Sequence, residues 1–478
     1  MTRLYFLLLF ISLFFIRVMM FAQVRLPSVI SSGMVLQQND SVTIWGWAGP
    51  GEKVFVIPSW SYKPDSAITS NGARWKMKIK TPAAGGPFTL NIASSGKATV
   101  LSNVMIGEVW VCSGQSNMEW SYNNGEMDTR AELPVCATNS IHFFHVPKTT
   151  SDAPQDDVKG QWVVCDSNTL KSFSAVGYFF GKKLLQQLNV PIGLINTSWG
   201  GTPAEVWTPQ DLVNRDEVLK TAAGKLESFA WWPSQPGLTY NAMIAPLTPY
   251  NIAGAIWYQG ESNVITNDSY SKLFTTMIGA WRGAWKKDFP FYYVQIAPYK
   301  YGNNNTGALL QEAQTKSMAY PNVGMVVITD LIDSVTNIHP SHKREVGNRL
   351  ANWALAETYK RPRIIYKNPE YKSARESKVG KAKDPGLLLS FNNIPNGLQT
   401  KDNVITGFYI SGGTENWQPA EARLEKGNKI VLWNKDIKEP RYIRYGFGNT
   451  LTGNVFSAEG LPLLPFRVDT WPVDQSKL

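Results

Sequence analysis

The chain has 478 residues, a formal net charge of +10, and 43% hydrophobic and 18% charged residues. At roughly 150 residues per domain, this length suggests two or three domains of a globular protein. The basic residues are scattered among acidic ones and form no long runs, which argues against nucleic acid as a partner.

The chain opens with an apolar segment. Arg3 precedes a nearly unbroken apolar run over 4–16, and Ala22 is a small residue at a suitable cleavage point. This arrangement is typical of a secretory signal peptide. The run is interrupted by Arg17 and is shorter than the roughly 20 apolar residues of a membrane-spanning helix. We therefore predict a signal peptide over 1–22 and a secreted or periplasmic protein with no membrane contact after cleavage. An uncleaved anchor is the alternative.

Export would permit disulfides, and the chain has three cysteines: Cys112, Cys136 and Cys165. An odd number leaves at least one of them free. Cys112 lies in an apolar run and is expected to be a small buried residue. The sequence leaves open whether Cys136 and Cys165 form a disulfide, because spacing cannot establish the geometry that a bridge needs.

Three regions of different pattern follow the signal peptide. Short alternating runs separated by Gly and Pro turns predict an antiparallel β-sandwich over 23–104. Over 105–360, apolar strands alternate with helical stretches, which predicts an α/β domain with a doubly wound, mostly parallel sheet. Strand-like runs return over 361–478 and predict a β-rich C-terminal region, whose end could pack on the central domain. Active sites of open α/β sheets lie beyond the carboxyl ends of the strands.

Four polar segments follow predicted strands of the central region. They are Gly-Gln-Ser-Asn-Met at 114–118, Asn-Thr-Ser-Trp-Gly-Gly-Thr at 196–202, Trp-Tyr-Gln-Gly-Glu-Ser-Asn at 257–263, and the stretch 329–340. The first segment alone is more often a turn than a catalytic site, since Gly, Ser and Asn are ordinary turn residues. Together, however, the four segments supply what ester hydrolysis needs: a nucleophile, a base and donors for an oxyanion.

Ser116 is the candidate nucleophile, and a serine hydroxyl requires a neighbouring base. The chain has four histidines. His142 and His145 lie in an apolar stretch that is typical of core or rim residues, and His342 is expected to cap or flank the helix that follows it. His339 lies in a loop beyond the last predicted strand of the sheet, so it is the candidate base.

Two backbone N–H groups could face a developing oxyanion, those of Ser116 and Gly201. Glycine suits position 201 because a side chain there would block the approach of the substrate carbonyl. The side chain of Gln259 or Asn263 could add a third donor. The histidines and cysteines show no metal-ligand spacing, so we expect neither a metal nor a cofactor.

The motifs Gly-Gln-Ser-Asn-Met, Trp-Gly-Gly-Thr-Pro, Gln-Gly-Glu-Ser-Asn and Ile-His-Pro resemble conserved blocks of SGNH-type esterases. They are most similar to the sialate O-acetylesterase family. Segments at 34–37, 44–48, 107–110 and 459–467 also resemble that family, so the resemblance spans nearly the whole mature chain. It implies an SGNH-type fold and an esterase that removes acetyl groups from sugar hydroxyls, with an O-acetylated sialic acid as the expected substrate. An acetylated plant polysaccharide such as xylan is the first alternative, and a non-catalytic carbohydrate-binding protein is the second.

The resemblance also implies roles for single residues. Ser116 corresponds to the nucleophile, His339 to the base, and Gly201 and Asn263 to oxyanion donors. Three further positions are implied to shape the site: Gln115, Gln259 and Glu261.

The chain departs from the SGNH pattern at the acid of the triad. That acid commonly stands three residues before the histidine, where this chain has Thr336. An acid orients the imidazole and stabilises its charged form, so another group must act here. Asp333 is the nearest carboxylate in sequence, followed by Asp330. The alternative is a Ser-His dyad whose histidine is oriented by a backbone carbonyl.

Overall fold

The structure is a computed structural model that describes residues 24–94, 97–302, 305–381, 383–413, 415–471 and 473. The predicted signal peptide over 1–22 lies outside these residues. Within the described part of the chain, no helix is long and apolar enough to cross a membrane.

The N-terminal region consists of strands that pair antiparallel, as their alternating pattern predicts, except that the first strand pairs parallel with the seventh. In the fifth strand, buried and exposed side chains alternate along its whole length, so one face packs on the core. The second strand pairs with the fifth, and the third pairs with the fourth and the sixth. The strands are β1 (Val35–Gln37), β2 (Ser41–Trp47), β3 (Lys53–Pro58), β4 (Asp65–Ile68), β5 (Arg74–Lys80), β6 (Gly85–Ser94) and β7 (Lys97–Gly114).

Strand β7 connects this region to the central sheet. It pairs antiparallel with β6 near its start and parallel with two central strands near its end. The domain boundary expected near residue 104 therefore lies inside one continuous strand of 18 residues.

The central sheet is mostly parallel, which confirms the predicted α/β class. Its order is β13-β12-β11-β7-β10-β8-β9, with only β9 antiparallel to its neighbour in this row. Strands β10, β11 and β12 are buried along their whole length, as expected for a sheet covered on both faces. These strands are β8 (Thr138–His145), β9 (Trp162–Cys165), β10 (Ile192–Ser198), β11 (Gly254–Tyr258), β12 (Phe291–Val294) and β13 (Val323–Val326).

Helices cover both faces of this sheet. On one face, Trp257 packs with Phe274 and Trp281; on the other, Trp110 packs with Phe180. The helices of the described residues are α1 (Ser116–Glu119), α2 (Ser167–Leu170), α3 (Ala175–Leu188), α4 (Gln210–Arg215), α5 (Glu217–Ala223), α6 (Asn267–Trp285), α7 (Thr306–Ser317) and α8 (Lys343–Trp353). Short 3-10 turns are Tyr122–Asn124, Met127–Thr129, Ala204–Trp207, Ala245–Leu247 and Glu261–Thr266, and π turns are Tyr240–Ile244 and Ala354–Thr358.

The C-terminal region is β-rich, as predicted, and forms sheets of its own. Their orders are β14-β15-β20-β19, β16-β22 and β18-β17-β21-β23. Near the chain end, Arg467 Nε donates to Glu312 Oε1 of α7 at 2.8 Å, which ties this region to the central one. The strands are β14 (Glu370–Val379), β15 (Asp384–Asn392), β16 (Leu398–Thr400), β17 (Phe408–Ser411), β18 (Gln418–Pro419), β19 (Glu421–Glu425), β20 (Lys429–Trp433), β21 (Tyr442–Tyr445), β22 (Val455–Ser457) and β23 (Phe466–Arg467).

All three cysteines are buried free thiols. Cys112 lies in strand β7 and is buried in the core, as predicted. The Cys136–Cys165 disulfide that the sequence left open is not formed in the structure. The Cys165 thiol instead donates to the Cys136 carbonyl oxygen, with 3.3 Å between Sγ and O.

Candidate active site

The nucleophile candidate lies where β7 ends. Gly114 has a φ of +135°, and a Cβ on it would lie 2.2 Å from the Tyr258 carbonyl oxygen, so only glycine fits between the two strands. Gln115 N then donates to the same oxygen at 3.0 Å. This tight turn places Ser116 at the first position of α1, at the carboxyl edge of the sheet, with its side chain partly exposed.

His339 faces Ser116 across this edge. It lies in the loop between β13 and α8, and its Nε2 is 2.8 Å from Ser116 Oγ. A base must lie within hydrogen-bond distance of the proton that it removes, and this distance satisfies that requirement. The structure therefore brings the predicted nucleophile and the predicted base together.

The His339 imidazole is partly buried and is stacked against one aromatic ring. The Trp120 ring stacks on it, with ring centroids 3.7 Å apart and planes inclined by 24°. Burial, and secondarily the positive charge of Lys343, lowers the pKa of His339 to about 4. The imidazole is consequently neutral at neutral pH and can accept a proton.

Asn117 connects the nucleophile segment to the histidine loop. Its Nδ2 donates to the Ile338 carbonyl at 3.0 Å, which fixes the residue just before His339. The same nitrogen donates to Glu261 Oε1 at 2.5 Å, and Asn117 Oδ1 accepts from Lys343 Nζ at 2.6 Å. This one side chain therefore joins three of the four polar segments predicted from the sequence.

A buried charge cluster lies beneath these residues. Lys343 is fully buried, and its Nζ lies 3.6 Å from Glu126 Oε1. Burial raises the pKa of Glu126 to about 7 although Lys343 opposes the shift, and burial also raises the pKa of Glu261. The same burial lowers the pKa of Lys343, while the two carboxylates favour its charged form. The cluster keeps a cation near His339, which disfavours protonation of the imidazole.

Two N–H groups are free to bind an oxyanion. Among the described residues, the backbone nitrogens of Ser116 and Gly201 have no hydrogen-bond partner. The loop that carries Gly201 lies against the nucleophile: Gly200 N donates to Glu119 Oε2 at 2.5 Å, and a Cβ on Gly200 would lie 3.3 Å from Ser116 Cβ. Gly201 has a φ of +82°, which favours glycine at this position.

Asn263 does not have the free amide that the family resemblance implies. Its side chain is fully buried, and Nδ2 donates to Glu205 Oε2 at 2.8 Å and to Thr266 Oγ1 at 3.1 Å. Its Oδ1 accepts from Ala204 N at 2.9 Å. Both amide protons of Asn263 are donated to protein oxygens, so neither is available to an oxyanion. The side chain instead holds the turn at Ala204–Trp207. Sequence does not show the contact with Glu205, because that residue stands 58 positions before Asn263.

The two glutamines brace the loops around the site. Gln115 Oε1 accepts from Gly260 N at 3.3 Å and from Ser262 N at 3.4 Å. Gln259 Nε2 donates to the Thr202 carbonyl at 3.3 Å. These contacts and the Asn117–Glu261 hydrogen bond place Gln115, Gln259 and Glu261 between the loops around Ser116.

Asp333 does not contact His339 and has other partners. Its two oxygens accept from Ser341 N at 2.8 Å and from Ser341 Oγ at 2.7 Å, and His342 Nε2 lies 3.5 Å from Oδ1. Burial tends to raise the pKa of Asp333, but the hydrogen bonds from Ser341 and the nearby His342 lower it overall. Asp333 thus stabilises the chain just before α8, and the expectation that it orients His339 is not supported.

Asp330 has a structural role as well. It forms a bidentate ion pair with Arg349, at 2.8 and 2.7 Å. Among the described residues, none forms a hydrogen bond with Nδ1 of His339. Within these residues His339 therefore has neither the Asp333 partner of a triad nor the orienting backbone carbonyl expected for a dyad. No cluster of three or more His, Cys, Asp or Glu suited to a metal ion occurs in the described ranges.

Among the described contacts, His142, His145 and His342 form none with Ser116 or His339, and His145 is exposed at the end of β8. His142 is buried in β8, with Nδ1 2.5 Å from the Gly33 carbonyl oxygen and Nε2 3.1 Å from that of Asn139. His342 flanks the start of α8, as expected from the sequence.

With this geometry established, similar proteins identify the family. A family model described as carbohydrate esterase, sialic acid-specific acetylesterase, matches residues 106–356, more than half of the chain. The chain belongs to this family. It is a carboxylic-ester hydrolase of the carbohydrate acetylesterase type, which confirms the resemblance inferred from the motifs.

Relatives of this esterase match over most of their length. Sialate O-acetylesterases of Pongo abelii and Homo sapiens are each 30% identical to it over 448 residues, covering 85% of this chain and 84% of each relative. The crystal structure of a carbohydrate acetylesterase from Xanthomonas citri is 31% identical, with a TM-score of 0.84, and the match covers 94% of this chain and 100% of that one. Most of this chain therefore has a structural counterpart in a solved carbohydrate acetylesterase.

Sequence reasoning missed three residues of this esterase site: Asn117, Trp120 and Lys343. Trp120 stands four residues after Ser116, a spacing that places both on one face of a helical turn. Lys343 begins α8, where a cation is disfavoured by the helix dipole and therefore calls for an explanation. These two features of the sequence indicated that Trp120 and Lys343 could belong to the site, although neither feature shows that the residue contacts His339.

Proposed function

We propose that this esterase is a sialate O-acetylesterase that works through a Ser116–His339 dyad. The observation that carries the mechanism is the 2.8 Å contact between Ser116 Oγ and His339 Nε2. The description of the family model and the names of the mammalian relatives support an O-acetylated sialic acid as the substrate.

The first half of the reaction forms an acetyl-enzyme. Ser116 Oγ attacks the acetyl carbonyl carbon while His339 Nε2 takes its proton. The carbonyl oxygen becomes an oxyanion, stabilised by the N–H groups of Ser116 and Gly201. As the tetrahedral intermediate collapses, the bond to the sugar oxygen breaks, and His339 returns the proton to that oxygen.

The second half releases acetate. A water molecule attacks the acetyl-serine carbonyl, and His339 takes a proton from this water. Collapse of the second intermediate breaks the bond to Ser116 Oγ, which recovers its proton from His339. The sum is one ester and one water converted to one acetic acid and one sugar alcohol.

Lys343 and Trp120 support this chemistry without touching the ester. Trp120 shields the imidazole, and burial with the charge of Lys343 lowers its pKa, so His339 is unprotonated at neutral pH, although the same effects disfavour the imidazolium that proton transfer forms. The imidazolium forms only transiently, next to the developing oxyanion that compensates its charge.

We further propose that the protein is exported, with residues 1–22 acting as a cleaved signal peptide. The basic residue, apolar run and small residue at position 22 support this proposal. Amino-terminal sequencing of protein purified from its native host should begin at Gln23. An amino terminus that retains the apolar run would contradict cleavage.

The substrate is tested by acetate release from a panel of O-acetylated sialic acids, acetylated xylan and acetylated pectin, measured side by side. We expect the highest kcat/KM on a sialic acid ester, with Ser116→Ala as the background. Preference for xylan or pectin would reassign the sugar but keep the chemistry. Failure of a serine-directed organophosphate to label the wild type, together with no acetate release, would instead support a non-catalytic binding protein.

A further inference from the structure

An aromatic loop lies beside the predicted oxyanion site. We call Phe229, Trp231 and Trp232 the aromatic rim; they lie between α5 and the π turn at Tyr240–Ile244. The Trp232 ring packs directly on Gly201, since a Cβ there would lie 2.3 Å from Cδ2 of the indole. The rim therefore borders the glycine whose N–H is available for the oxyanion.

Neighbouring contacts fix the position of this rim. Trp199 Nε1 donates to the Trp231 carbonyl at 3.1 Å, which ties the rim to the segment that precedes Gly201. The rings of Phe229 and Trp232 pack against each other, with centroids 4.6 Å apart and planes inclined by 36°. The aromatic surface is thus attached to the same loop that forms the site.

Two side chains of the aromatic rim are exposed to solvent instead of being packed in the core. Trp231 is 71% exposed and Phe229 is 42% exposed, whereas Trp207, Trp257 and Trp281 are fully buried. A large aromatic side chain left in water forgoes the free energy that its burial would provide. Adjoining exposed aromatic groups next to a catalytic pair indicate a binding surface.

The aromatic and uncharged side chains of the rim indicate which class of ligand it could bind. The faces of a pyranose ring carry C–H groups that pack well on an indole or phenyl ring, while its hydroxyls stay in contact with water. Over 226–240 the only charged residue is Glu227, so the segment that carries the rim supplies no cation for a carboxylate. A neutral sugar fits this surface better than the acidic sialic acid itself.

We propose that the aromatic rim is a stacking subsite for a neutral pyranose that adjoins the acetylated sugar in a glycan. The inference rests on the proposed function, because the acetylated sugar must occupy the Ser116–His339 site while its neighbour reaches the rim. It implies that the esterase prefers a glycan-linked acetylated sugar to the free acetylated monosaccharide.

The test compares kcat/KM for acetate release from O-acetylated sialyllactose and from free O-acetylated sialic acid. For the wild type we expect a ratio of about ten or more in favour of the oligosaccharide. Trp231→Ala should reduce this ratio about tenfold, mainly through KM, and Trp231→Phe should retain most of it. Trp232 is left intact because its ring supports Gly201. Tyr62→Ala is the matched control, since Tyr62 is 79% exposed but lies in the N-terminal region.

Equal losses on both substrates in Trp231→Ala would leave the ratio unchanged and overturn the subsite. A second measurement does not depend on turnover: lactose is titrated into Ser116→Ala while tryptophan fluorescence is recorded. We expect saturable quenching that Trp231→Ala, added to this variant, abolishes. Absence of acetate release with lactose binding intact would refute the proposed function alone. Quenching that survives Trp231→Ala would refute the rim alone.

Discussion

The two sides of the catalytic pair are held in very different ways. The nucleophile segment over 114–118 is buried apart from Ser116, and its turn is fixed by hydrogen bonds and close packing against β11. In the histidine loop, Asp333, Ser334 and Thr336 are exposed. The loop meets the nucleophile side through Asn117 and Trp120, so the base takes its position from the nucleophile segment.

The largest expected effect comes from removing either member of the pair. Ser116→Ala and His339→Ala should each lower kcat for an aryl acetate by about 10⁴-fold or more, because neither group can replace the other. Both residues are partly exposed, so thermal unfolding should change little. The control is Ser172→Ala, an exposed serine whose hydroxyl contacts only the Thr169 carbonyl. Near wild-type turnover in either catalytic variant would refute the mechanism.

The link between the two sides is tested at Asn117. Asn117→Ala removes the hydrogen bond to the Ile338 carbonyl and should lower kcat about 10²-fold with little change in KM, since small displacements of a base carry costs of that order. Asn123→Ala, an exposed asparagine in the next turn, is the matched control. A loss confined to thermal stability, with kcat preserved, would show that Asn117 supports the fold and not the base.

Replacing Trp120 should lower kcat less than replacing Asn117, and it should change the pH dependence of kcat/KM. With a His339 pKa of about 4, wild-type kcat/KM should stay level from pH 8 down to about 5 and fall near pH 4, as the imidazole becomes protonated. Trp120→Ala exposes the ring, so its pKa should rise towards about 6.5 and the acid limb should move to higher pH. The lost stacking should also lower kcat about tenfold.

Trp120→Phe provides the control for that prediction. It keeps an aromatic face over His339, so its acid limb should stay close to that of the wild type. An unchanged acid limb in Trp120→Ala would show that the stack does not set the pKa of the base.

The difference between the two sides also explains what sequence could predict. Alternating strands and helices predict the sheet, and the polar segments after its strands predict that Ser116 and His339 meet at one edge. The sequence could not predict roles that depend on which hydrogen-bond partner a side chain has in the folded protein. Asn263 stands in one of the predicted polar segments, yet its amide protons are donated to Glu205 and Thr266, and the sequence around it does not indicate the contact with Glu205.

Strand β7 gives a similar lesson for the fold. The sequence around residue 104 suggested a boundary because the patterns on its two sides differ, whereas the backbone continues as one strand through it. Asn103 adopts a φ of +53° within this strand, which shows that a residue typical of turns need not end a strand.

The smallest effect is expected at Asp333, where the sequence and the structure lead to different expectations. An acid that orients the base is worth about 10⁴-fold in kcat, so a triad predicts a loss of that size in Asp333→Asn. The structure gives Asp333 only Ser341 and His342 as partners, which predicts a loss of two- to about fivefold, together with a modest decrease in thermal stability. Ser341→Ala is the matched variant, because it removes the same hydroxyl contact from the other side and should reproduce both changes. A loss of three or more orders of magnitude in Asp333→Asn, absent from Ser341→Ala, would show that the carboxylate reaches His339 during turnover and that the exposed loop closes into a triad.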